Sequence, residues 1–253
     1  MAEPGPVEAV VPSDSPPGAD ALRLLREGDL EVVGRIVWSS NATFLARVRG
    51  DGTELDAVYK PRRGERPLWD FPTGSLHRRE LAAWELSRAL GWAVVPETVV
   101  RDDGPLGEGM LQRYVDHDPE EHYFTLLEEH EDRFRLFATF DVLANNADRK
   151  GGHVLRSRHD GHVWGIDHGL TFHEQWKLRT VIWEFAGEPV PGPLVPDVGR
   201  LVEELDGPLG RVLAGLLSAG EVAALAGRAR NLLATGTLPE PEAGYHSMPW
   251  PIV

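Results

Sequence analysis

The densest run of chemically capable side chains is Asn145-Asn146-Ala147-Asp148-Arg149-Lys150-Gly151-Gly152-His153. Nineteen residues beyond Asp148 lies Asp167, inside Ile166-Asp167-His168-Gly169. The stretch between them reads as a hairpin, His153–Ser157 and His162–Ile166 around the turn His159-Asp160-Gly161. A hairpin sets its two ends side by side, so the pattern brings both aspartates onto neighbouring loops. Two such carboxylates suit phosphoryl transfer from a nucleotide. One orients the attacking hydroxyl and takes its proton; the other holds the cation that bridges the phosphates. Mg²⁺ wants hard oxygen ligands, few of them from protein.

The first half of the chain supplies matching parts. Lys60 ends a β-rich run and can reach phosphates as a point charge. Glu80 falls on the inward seam of a helix, where a carboxylate is costly unless paired, and so is the natural partner for Lys60. Val58 shares a strand face with Lys60 and would line the roof over a base. The polar turn at 39–43, with Ser40 and Asn41, can offer backbone N–H groups to phosphate. Tyr114 and Val115 fall at a polar joint, where an adenine ring could meet backbone donors and acceptors.

Elements must position these residues. Asp20 starts a short helix that Gly28 ends, and β-rich runs follow at Glu31–Trp38, Phe44–Arg49 and Leu55–Lys60, the last stopped by Pro61. Ser75 caps a helix over Leu76–Leu90 whose seam reads Leu76, Glu80, Ala83, Ser87, Leu90, and Gly91 stops it. Strands are expected at Ala93–Val100 and Met110–Val115. Beyond Asp116 the pattern turns helical: His122–His130, then Asp132–Asn145, apolar on most sides, then Val198–Leu205, Pro208–Ala219 and Glu221–Ala234. A β-rich half followed by a helical half is an α+β arrangement in two lobes. The expected divisions are a disordered leader over 1–19, a β-rich lobe over 20–115, a helical lobe over 116–235 and a tail over 236–253.

Composition sets limits on partners. The formal charge is −14, from 26 basic and 40 acidic residues, which opposes docking on nucleic acid or anionic lipid. One local basic patch, Lys60, Arg62, Arg63, Arg66, Arg78 and Arg79, meets only Glu65 and Asp70 in its own segment and reads as a solvated surface. The absence of Cys excludes disulfides, thiolate metal sites and a Cys nucleophile. No apolar run reaches membrane-spanning length, and the first basic residue is Arg23, so no secretory n-region is present. These features point to a cytoplasmic chain with no stable membrane insertion.

The order of motifs resembles that of the atypical kinases, the phosphatidylinositol 3- and 4-kinases, with HipA-type kinases as more distant relatives. The matching residues are Tyr59-Lys60-Pro61, Arg79-Glu80-Leu81-Ala82-Ala83, Gln112-Arg113-Tyr114-Val115, Asn146-Ala147-Asp148-Arg149 and Ile166-Asp167-His168-Gly169-Leu170-Thr171-Phe172. The likeness spans about residues 30–185 and is nearest to a largely actinobacterial family distantly similar to those lipid kinases. It implies a two-lobed protein-kinase-like fold, ATP with Mg²⁺ or Mn²⁺, and transfer of phosphate to a hydroxyl on a protein, a lipid headgroup or a small polyol. By resemblance, Lys60 contacts the phosphates, Glu80 pairs with it and Val115 sits at the adenine hinge. Asp148 is then the catalytic carboxylate and Asp167 the principal metal ligand.

The chain departs from that family in three ways. His153 stands five residues after Asp148, where the family's second metal ligand is usually Asn; imidazole favours softer ions than Mg²⁺. The turn at Ser39–Thr43 has no Gly to form a tight cradle. No lipid-docking segment is evident. The first two leave room for a pseudokinase-like nucleotide-binding module acting through a partner, and a kinase fold can also transfer AMP.

Overall fold

The computed structural model describes residues 19–36, 41–242 and 246–253. Ser40, Val37–Ser39 and all but the last residue of the expected leader lie outside the described residues. The chain divides into two compact units, one holding the residues up to 81 together with 96–116, the other 82–95 together with 117–253. The fold is α+β, with a β-sheet unit and a helical unit.

The first unit is built on a five-stranded antiparallel sheet. Helix α1 (Ala19–Glu27) leads into β1 (Asp29–Ile36), β2 (Thr43–Gly50) and β3 (Thr53–Pro61); β4 (Thr98–Arg101) and β5 (Gly109–Arg113) complete the order β1-β2-β3-β5-β4. Side chains alternate across each strand, so Ala57 and Tyr59 of β3 are buried with Leu24, Leu25, Val48 and Leu111, while Val58 and Lys60 face the other way. The pairing of Val58 with Gln112 and of Lys60 with Met110 fixes that facing. A one-residue slip would turn Lys60 into the core. Pro61 remains in β3, because the β2 ladder already ends at the Phe44–Tyr59 pair and its missing N–H deprives no partner there.

Helix α2 (Leu76–Leu90) has the expected bounds and buries Leu76, Glu80, Ala83, Ser87 and Leu90 along one seam. Its cap is a correction. The Ser75 hydroxyl donates to the Pro72 carbonyl, and the Glu65 carboxylate instead accepts the Leu76 and His77 N–H groups, at 3.2 and 2.9 Å. An anion suits a helix N-terminus better than a neutral hydroxyl. The strand expected over Ala93–Val100 shortens to β4, because the Ser87 hydroxyl takes the N–H groups of Val94 and Val95 and the Val94 carbonyl accepts from Gly165.

The second unit is mainly helical. α3 (Tyr123–Leu126) and α4 (Glu131–Ala144) precede a two-stranded hairpin, β6 (Val154–Arg156) and β7 (Val163–Gly165). α4 is buried on nearly every side, with Phe134, Phe137, Phe140 and Leu143 wholly enclosed and Tyr123 edge-on to Phe134 at 4.9 Å. Each such ring contributes about 1.5–3 kcal/mol by leaving water. α5 (Val195–Leu205), α6 (Pro208–Ala214) and α7 (Ala219–Thr235) follow. The expected Pro208–Ala219 helix breaks at Gly215 because Ser218 and Glu221 form a capping box that starts α7. Among the described residues no helix is long and apolar enough to cross a membrane.

Candidate active site

The second unit's chemistry begins where α4 ends. Asn145 closes the helix in the left-handed conformation, φ 51°, a backbone shape that Asn tolerates. Its carboxamide does more than end a helix: Nδ2 donates to the His173 and Gln175 carbonyls, at 2.9 and 2.7 Å, and Oδ1 accepts the Lys177 N–H. Asn146 Nδ2 donates to Asp141 Oδ1 at 3.0 Å, and its Oδ1 accepts the Asp148 N–H at 3.0 Å. Asn146 therefore braces the Asp148 loop, while Asn145 ties the 173–177 segment to the end of α4.

Arg149 is fully buried and turns away from Asp148. Its guanidinium grips Asp141 with two bonds of 2.9 Å and meets His168 Nε2 at 2.7 Å. It also donates to the carbonyls of His153 and Ile166, each at 3.2 Å. One side chain thus ties together the bases of the two loops that carry Asp148 and Asp167. The hairpin adds an Ile166 N–H to His153 carbonyl bond of 3.0 Å. A charge held this deeply is tolerable because the carboxylate and three further acceptors satisfy it.

Asp148 is left to Lys150, whose Nζ lies 3.1 Å from Oδ2. Burial, with the Asp167 charge close by, pushes the Asp148 carboxyl above its ordinary range, against the pull of Lys150 and Arg179. A proton acceptor held slightly more basic than a free carboxylate suits general-base work. Asp167 has φ 59° in a non-glycine residue, a sparsely populated conformation that clusters at functional sites. Its carboxylate is 42% exposed and lies 3.3 Å from His153 Nε2. Asp148, Asp167 and His153 are thus gathered in one place.

In the first unit, Lys60 Nζ lies 2.6 Å from Glu80 Oε1, with Glu80 buried. Val58 shares the Lys60 face of β3. The Tyr114 N–H donates to the Asp56 carbonyl at 2.9 Å, continuing the β5 pairing by one residue, and Val115 beside it is buried. Asn41 differs from expectation in one respect: its Oδ1 accepts the Arg66 N–H at 3.0 Å, so its side chain fastens the 62–66 turn. The basic patch is also less bare than its local sequence implies. Glu108, next to β5, pairs with Arg62 at 2.8 Å and with Arg78 at 3.3 Å.

The donor set fits a hard divalent cation of the kind that accompanies nucleotides. Among the described residues no three His, Asp or Glu side chains converge as a ready-made metal cage. Mg²⁺ uses one or two carboxylates and leaves the remaining positions to phosphate and water. Asp167, exposed and next to an imidazole, offers one carboxylate of that kind.

A β-sheet unit and a helical unit with this topology define a kinase-like fold. The crystal structure of the Helicobacter pylori proinflammatory kinase CtkA superposes with a TM-score of 0.50 at 10% identity, covering 85% of this chain and 94% of that one. No family model matches the sequence. Protein Rv2133c of Mycobacterium tuberculosis (strain ATCC 25618 / H37Rv) is 43% identical over 267 aligned positions, 92% of this chain and 95% of that protein. The chain belongs to the family of that protein.

Sequence reasoning undervalued two residues. Beside Asp148, Arg149 offers at most a solvated ion pair in a loop, yet it is buried on Asp141, and the signal was that Asp one turn before the loop, able to brace it from a largely apolar helix. Lys150 carried no local signal beyond being the next cation in the run.

Proposed function

We propose that this protein is an ATP-dependent phosphotransferase of the atypical kinase type, related to the phosphatidylinositol 3- and 4-kinases, acting in the cytoplasm on a hydroxyl acceptor. The observation that carries the reading is the pair Asp148 and Asp167, held on adjoining loops by the buried Arg149. The Lys60–Glu80 ion pair supports it independently.

In this reading Asp148 accepts the proton of the acceptor hydroxyl as its oxygen attacks the γ-phosphorus of ATP, and the bond to the β-bridging oxygen breaks to leave ADP. Lys60, held by Glu80, neutralises charge on the α- and β-phosphates. Val58 lines the base site, and the backbone at Tyr114 and Val115 meets the adenine edge. Asn41 and Ser40 belong to the turn assigned to the phosphates. Asp167, with His153 beside it, would hold Mg²⁺ or Mn²⁺. Such an ion supplies charge neutralisation across the phosphates when bound. Lys150 restrains Asp148 until an acceptor displaces it.

The test pairs a thermal-shift titration of ATP with each metal against transfer from γ-labelled ATP to cell extract fractionated into lipid, protein and small molecules. Binding together with label transfer that Asp148→Ala and Asp167→Ala abolish is the expected outcome. Full transfer by both variants overturns the assignment. The His153–Asp167 contact favours a second reading, a nucleotide-binding module in which imidazole occupies the carboxylate that a metal needs. A shift without transfer selects it.

A further inference from the structure

The last residues of the chain lie against the Asp148 loop. The Gly151 N–H donates to the Ile252 carbonyl at 2.7 Å. The Thr180 N–H and the Trp183 indole N–H both donate to the Ser247 carbonyl, at 3.0 and 3.1 Å. All three donors sit on one framework, because Thr180 bridges in parallel with Arg149 and the Val181 N–H donates to the Arg149 carbonyl. Pro249 is buried, whereas Met248 and Trp250 on either side are 45% and 87% exposed.

We propose that this face is a peptide groove, that residues 246–253 occupy it in cis, and that the acceptor class is an extended polypeptide carrying the hydroxyl. The inference rests on Asp148 being the proton acceptor. An acceptor chain must then pass beside the Asp148–Gly152 loop, and a chain segment already does. Gly151 lies three residues from Asp148, within roughly 11 Å of extended backbone.

The loop is shaped for main-chain approach. A Cβ at Gly151 would stand 3.1 Å from the Phe124 ring and 3.3 Å from the Ile252 carbonyl, so a bare residue there lets two backbones close on one another. Donors at Gly151 and Thr180 match carbonyls five residues apart on one strand of chain. Main-chain pairing gives such grooves affinity and buried side chains give them selectivity; here the buried side chain is Pro249. A lipid headgroup or a polyol has no carbonyl ladder to offer, and a chain of net charge −14 repels an anionic bilayer.

The chain has no Cys, so one engineered pair can lock the groove shut. A Cβ at Gly152 would lie 4.0 Å from Val253 Cγ1, so Gly152→Cys/Val253→Cys brings two thiols beside one another for oxidation. In the full chain, Pro249→Asp should release the tail. A fluorescein-labelled peptide copying residues 246–253 is then titrated against locked, native and released chains. Its affinity should be lost in the locked chain, return on reduction, and rise about tenfold over native in the released chain. With γ-labelled ATP, Ser- and Thr-containing peptides should be labelled in that same order. The proposal is overturned if the disulfide does not form, if the three chains bind the peptide alike, or if label enters only lipid or polyol. ATP-induced thermal shifts are recorded on each chain; their absence throughout sinks the phosphotransfer reading, while the peptide titration still decides the groove.

Discussion

Arg149 and Asp141 form a closed fork: Nε to Oδ2 and Nη2 to Oδ1, each 2.9 Å, with both side chains wholly excluded from water. Two bonds in one plane fix the guanidinium's orientation, and its remaining donors then reach the carbonyls of His153 and Ile166. The pair transmits the end of α4 to both aspartate loops. Breaking it leaves a buried charge. Asp141→Asn should cost about 3–5 kcal/mol, and Arg149→Met a similar amount. In a chain of this length that lowers the melting point by roughly 10 °C. The double variant Asp141→Leu/Arg149→Met should recover much of the stability by calorimetry but none of the label transfer, because the loops lose their shared clamp.

Lys60 and Glu80 make a related prediction in the sheet unit. Glu80 is buried and Lys60 partly so, at 2.6 Å. Lys60→Met takes the ammonium away from a buried carboxylate and should destabilise by about 3 kcal/mol. Lys60→Met/Glu80→Gln removes both charges and should restore most of that loss without restoring nucleotide binding. Lys60→Arg keeps the charge but replaces a point charge by a planar fork, and should raise the apparent ATP dissociation constant about tenfold. Denaturant midpoints and ATP thermal shifts separate the two effects. Nucleotide affinity unchanged in Lys60→Met would remove Lys60 from the phosphate role.

Much of this arrangement was legible because it follows short-range geometry. The two-residue period of β3 sets Val58 and Lys60 on one face, and the helical period of α2 sets Glu80 on its buried seam. The hairpin between His153 and Ile166 brings Asp167 back towards Asp148. What could not be read depends on partners distant in sequence. Arg149 chooses Asp141 because of the path taken after α4. Glu108 reaches Arg62 because β3 and β5 pair in register. Glu65 caps α2 from a turn eleven residues earlier, and the tail meets Gly151 across about a hundred residues. Local pattern names a face; only the packed chain names what touches it.

The Glu108 network makes stability depend on acid. Arg62, then His77 and Arg78, hold the Glu108 carboxyl down at about 2, from an ordinary 4.5. Glu65, with His77 and two helix N–H groups on it, is also depressed despite its burial. A depressed folded-state pKa gives stability that is complete above the unfolded value and lost as pH falls through the folded one. The loss should therefore run from about pH 4.5 down to pH 2. Because Glu108 is partly exposed, its share is about 1–2 kcal/mol after solvent screening. Urea midpoints of the parent chain and Glu108→Gln should differ by that amount at pH 7 and converge near pH 2. A difference that persists at low pH would mean the carboxylate is not the source.

The backbone of Asp167 separates placement from stability. At φ 59° any residue with a Cβ is strained, by about 1 kcal/mol for Asp and up to about 3 kcal/mol for a β-branched side chain. Glycine carries no such strain but adds freedom to the unfolded chain worth about 0.4–1 kcal/mol. Asp167→Gly should therefore melt within about 2 °C of the parent and Asp167→Asn likewise, whereas Asp167→Val should lose roughly 2 kcal/mol. All three should lose label transfer. If the loop needs the carboxylate for its own integrity, through the contact with His153, then Asp167→Gly will fall with Asp167→Val. A stable Asp167→Gly chain that binds peptide but transfers nothing would show that the strained backbone serves to aim this carboxylate and does nothing to hold the fold.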